Sequence, residues 1–426
     1  MPATVDTLAL RVDGDRLVGR LRELGQVGGL EGGGCARLAL TDADSEGRDL
    51  VAMWMADAGL DVVVDAIGNV VGTRAGLEDV PPVMCGSHVD TVATGGIYDG
   101  NLGVLGGLEV IETLNDAGAV TRRPIAVGFF TDEEGSRFAP DMLGSLVYAG
   151  GLGVEQAHGI IGIDGARLGD ELARIGYLGP TPCPGRVPHA YVELHIEQGP
   201  VLDRAGEVIG AVTGIQGISW QELTVSGQAN HAGTTPMAYR HDAGFVAASV
   251  ATFVRKMVTE IGPPQVGTVG RFDLHPDLVN VVAARAAFTV DLRNTDEATL
   301  QVAERLLAEY VAEVAAAEGV EVTHRRLARF EPVDFDPRMI SLVEETAAHF
   351  GYPTRRLPAG AGHDAQMLAR VCPAGLVFVP SVGGVSHNPG EFTRPEHVAA
   401  GADVLLQVIM RLAEEDEIPG SSKPQQ

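Results

Sequence analysis

The sequence predicts an α/β protein whose chain is interrupted by an inserted α+β domain. Three observations predict it. Continuous apolar runs such as Pro124-Ile-Ala-Val-Gly-Phe-Phe130 and Gly375-Leu-Val-Phe-Val379 are the mark of strands covered on both faces. From about residue 213 to 328 the pattern becomes β-α-β-β-α-β, the split ferredoxin-like order. Sheet-like segments then resume, so the expected division is residues 1–212 with 329–426, and an insertion at 213–328.

Taken in order, residues 14–60 read as two amphipathic helices joined by the glycine-rich turn Gly28–Gly34. The second helix begins at the capping segment Thr41-Asp-Ala-Asp44 and is expected to carry Leu50, Trp54 and Ala58 on one stripe. Asp61–Asp65 and Asn69–Gly72 read as a hairpin-type strand pair, and Val83–Ser87 as a short buried strand. Leu102–Asn115 is a helix whose first turn is rich in glycine, which permits close packing on a neighbour. Tyr191–Gly199 begins as an alternating strand. In the insertion, strands at 220–226, 265–272, 286–292 and 320–324 enclose helices at 242–259 and 296–317. Helices at 338–350 and 395–413 flank the last apolar strand, and the Pro/Gly-containing tail from Glu414 is expected to be disordered.

Composition bounds the function. With 57 acidic against 31 basic residues and a formal charge of −26, the chain has no footprint for nucleic acid or for an anionic membrane. Hydrophobic residues make up 45% of its 426 residues, ample for a folded core, while no apolar run reaches membrane-spanning length. Cys35, Cys85, Cys183 and Cys372 form no C-x-x-C pair, and the charged N-terminus lacks a leader's apolar segment. The expectation is a cytoplasmic protein with reduced thiols.

The chemistry gathers behind the strands. Cys85–Gly107 sets His88, Asp90 and Asp99 after a short apolar segment and before a glycine-rich helix. Imidazole and carboxylate are the ligands of Zn²⁺ and its neighbours where cysteine is not used. Taken alone, His88 reads equally well as a core histidine and Asp99 as a helix cap. Gly100, Gly103 and Gly106 do not form G-x-G-x-x-G, and Asp99 stands where a phosphate would have to sit, so a nucleotide loop is set aside. The apolar run ending at Phe130 is followed by Thr131-Asp-Glu-Glu-Gly-Ser-Arg137, where paired Glu133 and Glu134 invite a division of labour between metal binding and proton handling. His195 lies on one strand, and His387 follows another. Neither H-E-x-x-H nor G-x-S-x-G occurs, which excludes helical zinc-protease geometry and weakens a serine-hydrolase reading. Together His88, Asp99, Glu133, Glu134, His195 and His387 suffice for two metals that share one carboxylate and a water. Asp90 is placed to reach the second nitrogen of His88 and fix its tautomer.

Gly86-Ser-His-Val-Asp-Thr91, Tyr98-Asp-Gly100, Thr131–Phe138, Leu194-His-Ile-Glu-Gln-Gly-Pro200 and Asn230-His-Ala-Gly-Thr-Thr-Pro-Met237 resemble the carbamoylase/allantoate amidohydrolase branch of the zinc aminoacylase–carboxypeptidase superfamily. Asp291-Leu-Arg293, Gly360-Ala-Gly-His-Asp364 and Ser386-His-Asn388 complete the pattern, in order and over nearly the whole chain. The resemblance implies a bimetallic zinc-hydrolase domain with the insertion as lid and dimerisation domain, in a homodimer with two divalent metal ions per subunit. Zn²⁺ is the first expectation, and Mn²⁺, Co²⁺ and Ni²⁺ also suit the ligands. It implies His88, Asp99, Glu134, His195 and His387 as metal ligands with Asp99 bridging, and Glu133 as general base. His231 would stabilise the oxyanion across the subunit boundary. Asn280 and Arg293 would hold a substrate carboxylate, with Gln198 and Gly360 lining the pocket. It also implies a cis peptide bond at Asp99–Gly100. Locally, each lid residue has an ordinary reading too, Arg293 as a strand-end arginine, Asn280 as a turn former and His231 as a loop histidine. The implied substrate is a small ureido acid, first an N-carbamoyl-L-amino acid, with allantoate or 3-ureidopropionate as alternatives. His195-Ile-Glu-Gln-Gly199 disfavours a plain aminoacylase or dipeptidase, and the presence of Glu133 disfavours a metal-binding protein without catalysis.

Overall fold

The computed structural model describes residues 9–415. The expected disorder of the tail therefore falls almost wholly outside the described residues. The chain divides into two compact units, 1–213 with 334–426, and 214–333.

The first unit opens with α1 (Gly14–Leu24), capped by Asp13, and α2 (Asp42–Asp57), capped by Thr41. The buried stripe of α2 is Asp44, Gly47, Arg48, Val51, Trp54 and Met55, whereas Leu50 and Ala58 are only partly covered. The expected stripe was displaced because Arg48 is fully buried, where it meets Asp44 at 2.7 Å. A hairpin-type pair, β1 (Asp61–Val64) and β2 (Val70–Arg74), leads to β3 (Val83–His88), α3 (Asn101–Asp116) and β4 (Ile125–Phe130). Short helices α4 (Leu143–Tyr148), α5 (Val154–His158) and α6 (Leu168–Arg174) precede β5 (Ala190–Ile196), then α7 (Val201–Ala205) and β6 (Ile209–Ile215). Every residue of β5 is buried, so it is a two-sided interior strand and not the alternating strand expected.

The second unit runs β7 (Gly217–Ser226), α8 (Ala243–Ile261), β8 (Val266–His275), β9 (Arg285–Asn294), α9 (Glu297–Glu318) and β10 (Glu321–Phe330). Its four strands pair antiparallel in the order β10-β7-β9-β8, which is the ferredoxin-like sheet. Leu223, Val225, Phe288, Val290 and Leu292 pack beneath Val246, Val250 and Val254 of α8 and Leu300 and Leu307 of α9. The unit ends later than residue 328 because β10 continues to Phe330.

The first unit resumes with β11 (Val333–Asp334), α10 (Pro337–His349), β12 (Thr354–Ala359), α11 (Asp364–Leu368), β13 (Ala374–Val379) and α12 (Pro395–Glu414). Its sheet runs β1-β2-β4-β3-β5-β13-β6-β11, with β12 on β6. The central strands β4, β3, β5 and β13 are mutually parallel, with antiparallel strands on both sides. Parallel central strands turn their carboxyl ends to one edge, where open α/β sheets build their sites. Among the described residues no helix is long and apolar enough to cross a membrane, and all four cysteines are free thiols.

Candidate metal centre

His88 is the last residue of β3, and its register partner on β4 is Phe130, so Thr131–Glu134 leave the sheet beside it. His195 faces Phe378 in the β5–β13 register. The loop after β13 carries His387. The four carboxyl-terminal ends thus converge.

Asp99 stands at the centre. Its Oδ1 lies 3.6 Å from His88 Nε2 and 3.2 Å from His195 Nε2. Its Oδ2 lies 3.3 Å from His387 Nε2, which is itself 3.3 Å from Glu134 Oε2. Two ligand sets result, His88–Asp99–His195 and Asp99–Glu134–His387, with Asp99 in both. Two ligands about 2.1 Å from a tetrahedral metal stand roughly 3.4 Å apart, which matches these spacings.

The tautomers reinforce the fit. Nδ1 of His195 lies 2.9 Å from the Ile196 carbonyl, and Nδ1 of His88 lies 2.9 Å from the Asp90 carbonyl. Each Nδ1–H therefore donates to backbone, which leaves Nε2 of each ring turned to Asp99, with the Gly100 N–H also 3.2 Å from that of His195. Against burial, Glu133 and Asp99 raise the pKa of His88 and Asp99 raises that of His195, so the site favours positive charge at these nitrogens, as a proton or as a metal ion. Burial opposes ionisation of Asp99, yet contacts from His195, His387 and His88 hold it well below the usual carboxylate range. Asp99 and Glu134 push the His387 imidazole up to about 10.

Several expectations need correction. The carboxylate of Asp90 is 3.9 Å from His88 Nδ1, so the Asp90 carbonyl fixes the tautomer and the side chain does not. That carboxylate instead accepts the backbone N–H groups of Glu133 and Glu134 at 3.3 Å, fixing the acidic turn. The cis peptide bonds of the described residues all precede proline, so Asp99–Gly100 is trans. The chain turns there through Gly100 at φ 66°, ψ −50°, a conformation that glycine alone takes easily. An added Cβ would meet the His88 ring at 2.4–2.5 Å. Gln198 does more than line a pocket, because its Nε2 donates to Asp99 Oδ2 at 2.8 Å. Gly360 is exposed just beyond β12.

Glu133 is buried with Oε2 3.3 Å from His88 Nε2, yet it belongs to neither of the two ligand sets that share Asp99. Burial raises its pKa well above the usual carboxylate range, and Asp364, Glu134 and Asp99 add to this against the opposing pull of His88. Such a shift suits a group that must accept a proton near neutrality.

The remaining expected residues belong to the second unit. His231 is exposed in a loop that bridges to Val281, and Ala232 N–H donates to the Asn280 carbonyl at 2.9 Å. Arg293, on β9, forks onto Asp291 at 3.0–3.1 Å with its guanidinium 5.7 Å from the Trp220 ring.

Sequence reasoning missed Glu193, which lies two residues before His195 on the same strand. Its Oε1 accepts the Ser87 hydroxyl at 2.7 Å and its Oε2 the Ala365 N–H at 2.8 Å. The signal was a glutamate inside the apolar run Ala190–Ile196. His363, in the Gly360–Asp364 segment, also lies against the site. Its ring centroid is 4.4 Å from that of His195, and its buried Nε2 has no partner among the described residues.

Residues 84–411 match the profile of the peptidase family M20/M25/M40. The chain belongs to that family. It is 43% identical over 405 residues to the N-carbamoyl-L-amino-acid amidohydrolase of Rhizobium meliloti, covering 95% of this chain and 97% of the relative. A solved amidase of the hydantoinase/carbamoylase family from Burkholderia multivorans is 47% identical, with TM-score 0.90 over 96% of this chain and 99% of that one. The ureidoglycolate hydrolase of Arabidopsis thaliana is 34% identical over 95% of this chain and 88% of its own length. The M20/M25/M40 chain is thus a hydrolase of the amidohydrolase group within its family, and its ligand sets agree with a metal-dependent reaction.

Proposed function

We propose that the chain hydrolyses the ureido C–N bond of an N-carbamoyl-L-amino acid, giving the L-amino acid, ammonia and carbon dioxide. The observation that carries this is Asp99 shared between two histidine-containing ligand sets, in a chain whose relative in Rhizobium meliloti is named for that activity. The spacings and tautomers fit two divalent cations held by His88, Asp99, Glu134, His195 and His387. Zn²⁺, Mn²⁺, Co²⁺ and Ni²⁺ all suit such ligands. Two such ions supply Lewis acidity and a nucleophilic water at neutral pH.

The chain's own residues do the rest. Glu133 takes a proton from the attacking water and passes it to the leaving nitrogen, which its raised pKa favours. Gln198 steadies the shared carboxylate through its 2.8 Å hydrogen bond. Arg293 and Asn280 hold the substrate carboxylate. Arg293 suits this task because Asp291 and Trp220 already orient its planar fork. His231 steadies the developing oxyanion in the partner subunit of a homodimer, with the 214–333 unit as lid and dimerisation domain. The edge strand β8, with exposed Val266, Phe272 and Leu274, supports such an assembly. Free thiols support a cytoplasmic location.

A second reading, hydrolysis of allantoate or a related ureido acid, is favoured by the relatives named allantoate amidohydrolase in Bacillus subtilis and ureidoglycolate hydrolase in Arabidopsis thaliana. An ammonia-release screen over N-carbamoyl-L-amino acids, allantoate and 3-ureidopropionate, with each metal in turn, tests both. Preference for a carbamoyl amino acid is expected. Release from allantoate alone would replace the first reading by the second, and release from none would remove both.

A further inference from the structure

We propose that Glu391 is a positioning residue that ties Asp99 to the loop carrying His387, and so sets the geometry of the Asp99–Glu134–His387 half of the site. The inference rests on the two-metal reading above and assigns work to a residue that reading does not use.

Glu391 is 6% exposed and accepts hydrogen bonds from two backbone N–H groups and a hydroxyl. Its Oε1 accepts the N–H groups of Tyr98 and Asp99, each at 3.2 Å. Its Oε2 accepts the Ser386 hydroxyl at 2.8 Å. Ser386 immediately precedes His387, and its oxygen also receives Gln198 Nε2 at 3.3 Å. The same Gln198 nitrogen donates to Asp99 Oδ2. A closed ring of contacts therefore runs Asp99 backbone, Glu391, Ser386, Gln198, Asp99 carboxylate. The Glu391 N–H donates to the Asn388 carbonyl at 2.9 Å, which folds the chain back from His387 so that the carboxylate can reach residues 98–99.

Burying a carboxylate close to the carboxylate of Asp99 is costly, and the cost is offset only where its hydrogen bonds are needed. Room for it is made specifically. A Cβ on Gly96 would fall 2.0 Å from Glu391 Oε1 and 2.3 Å from Cδ. Glycine at 96 thus lets the carboxylate lie flat against the 96–99 backbone. Groups that orient metal ligands are typically worth about ten- to a hundredfold in metal affinity. Glu391 acts on the ligand shared by both sets and on the approach to His387, and it touches neither His88 nor His195 in any contact above. Its loss is therefore expected to weaken one half of the site more than the other.

The test is a Co²⁺ titration of the chelator-treated, full-length protein, followed by visible absorption and elemental analysis. Wild type, Glu391→Ala, Glu391→Gln and Gly96→Ala are compared, with thermal stability measured alongside. Wild type is expected to bind two Co²⁺. Glu391→Ala should keep one tight ion and bind the second roughly ten- to a hundredfold more weakly. Gly96→Ala keeps the carboxylate but drives it off the backbone, and should show the same split. Glu391→Gln retains an oxygen able to accept both N–H groups and should restore most of the second affinity. Two unchanged affinities in Glu391→Ala overturn the proposal, as does equal weakening of both ions in step with lost thermal stability. Fewer than two Co²⁺ in wild type would instead refute the two-metal reading on which it rests.

Discussion

Replacing Gly100 by alanine should damage the site at its narrowest point, and the size of the damage follows from two measurements. The new Cβ would stand 2.4–2.5 Å from three atoms of the His88 ring. Carbon contacts are comfortable only from about 3.5 Å, so ring or backbone must retreat by roughly 1 Å. Ligand distances in metal sites tolerate only about 0.2 Å, which makes His88 a poor ligand after such a shift. A misplacement of that size costs on the order of a hundredfold in rate. The backbone adds its own strain, because alanine at φ 66°, ψ −50° sits in a sparsely populated region, costing about 1–3 kcal/mol. The assay pairs urea denaturation of the chelator-treated protein with a Zn²⁺ competition titration. The expected result is a stability loss of about 1–3 kcal/mol and weakened binding at the His88–Asp99–His195 set. Unchanged stability together with unchanged Zn²⁺ affinity would refute the reasoning at its root, since neither the overlap nor the turn would then exist.

Glu133→Gln should keep both metals by elemental analysis while turnover falls roughly 10²–10⁴-fold; loss of a metal would reverse the roles given to Glu133 and Glu134. Arg293→Ala should raise KM for free-acid ureido substrates by roughly ten- to a hundredfold with metal content unchanged, and equal wild-type turnover of amidated substrates would sink the carboxylate clamp. Co-expressed Glu133→Ala and His231→Ala chains should recover activity in verified mixed dimers, because one site then has an intact base and a borrowed His231; inactive mixed dimers would confine His231 to its own chain. Burial first, then Arg123, Arg122 and Arg338, push His189 down to about 4. The unfolded chain, with an ordinary value near 6.5, then binds the extra proton between these limits. Stability is thus full above about 6.5 and falls as pH drops towards 4. His189 is partly buried, and solvent screening leaves on the order of 1 kcal/mol. His189→Gln should narrow the gap between urea midpoints at pH 7 and pH 5, and an unaltered gap would show that another group carries it.

Several of the candidate ligands were legible because they are polar residues in or just after an apolar run, a pattern that strand burial makes conspicuous. His88 after Val83–Ser87 and Glu134 after Pro124–Phe130 are of this kind. Groups that act through a distant backbone were not legible. Arg37 is fully buried and donates to the carbonyls of Leu24, Val27 and Val89 and to Asn101 Oδ1. Nothing near it in sequence announces those partners, and arginine is ordinarily a surface residue. Glu391 reads locally as one more turn acid, since its partners at 98 and 99 lie nearly three hundred residues away. The Asp90 misreading has a related cause, because residue spacing says which side chain is near and not which of its oxygens is closer. Strands β6 and β12 escaped because Ile209–Ile215 carries internal glycine and Thr354–Ala359 holds two arginines and a proline among six residues and is half exposed. Their strand character comes from pairing with each other and with β13.

The parallel pairing of β5 with β13 has a consequence for how the chain is made. β5 ends at Ile196 and β13 at Val379, with the whole 214–333 unit between them. At about 5–20 residues per second, a ribosome needs roughly 10–40 s to cross that interval. For that time β5 can pair with β3, but its other edge has no partner strand yet synthesised, and His387 does not exist. The His88–Asp99–His195 half can therefore gather while the chain is still being translated, and the second half must wait for the late strand. A nascent chain halted before residue 374 would present one ligand set and one bare sheet edge, a species open to premature metal capture and to strand exchange with its neighbours on the same message.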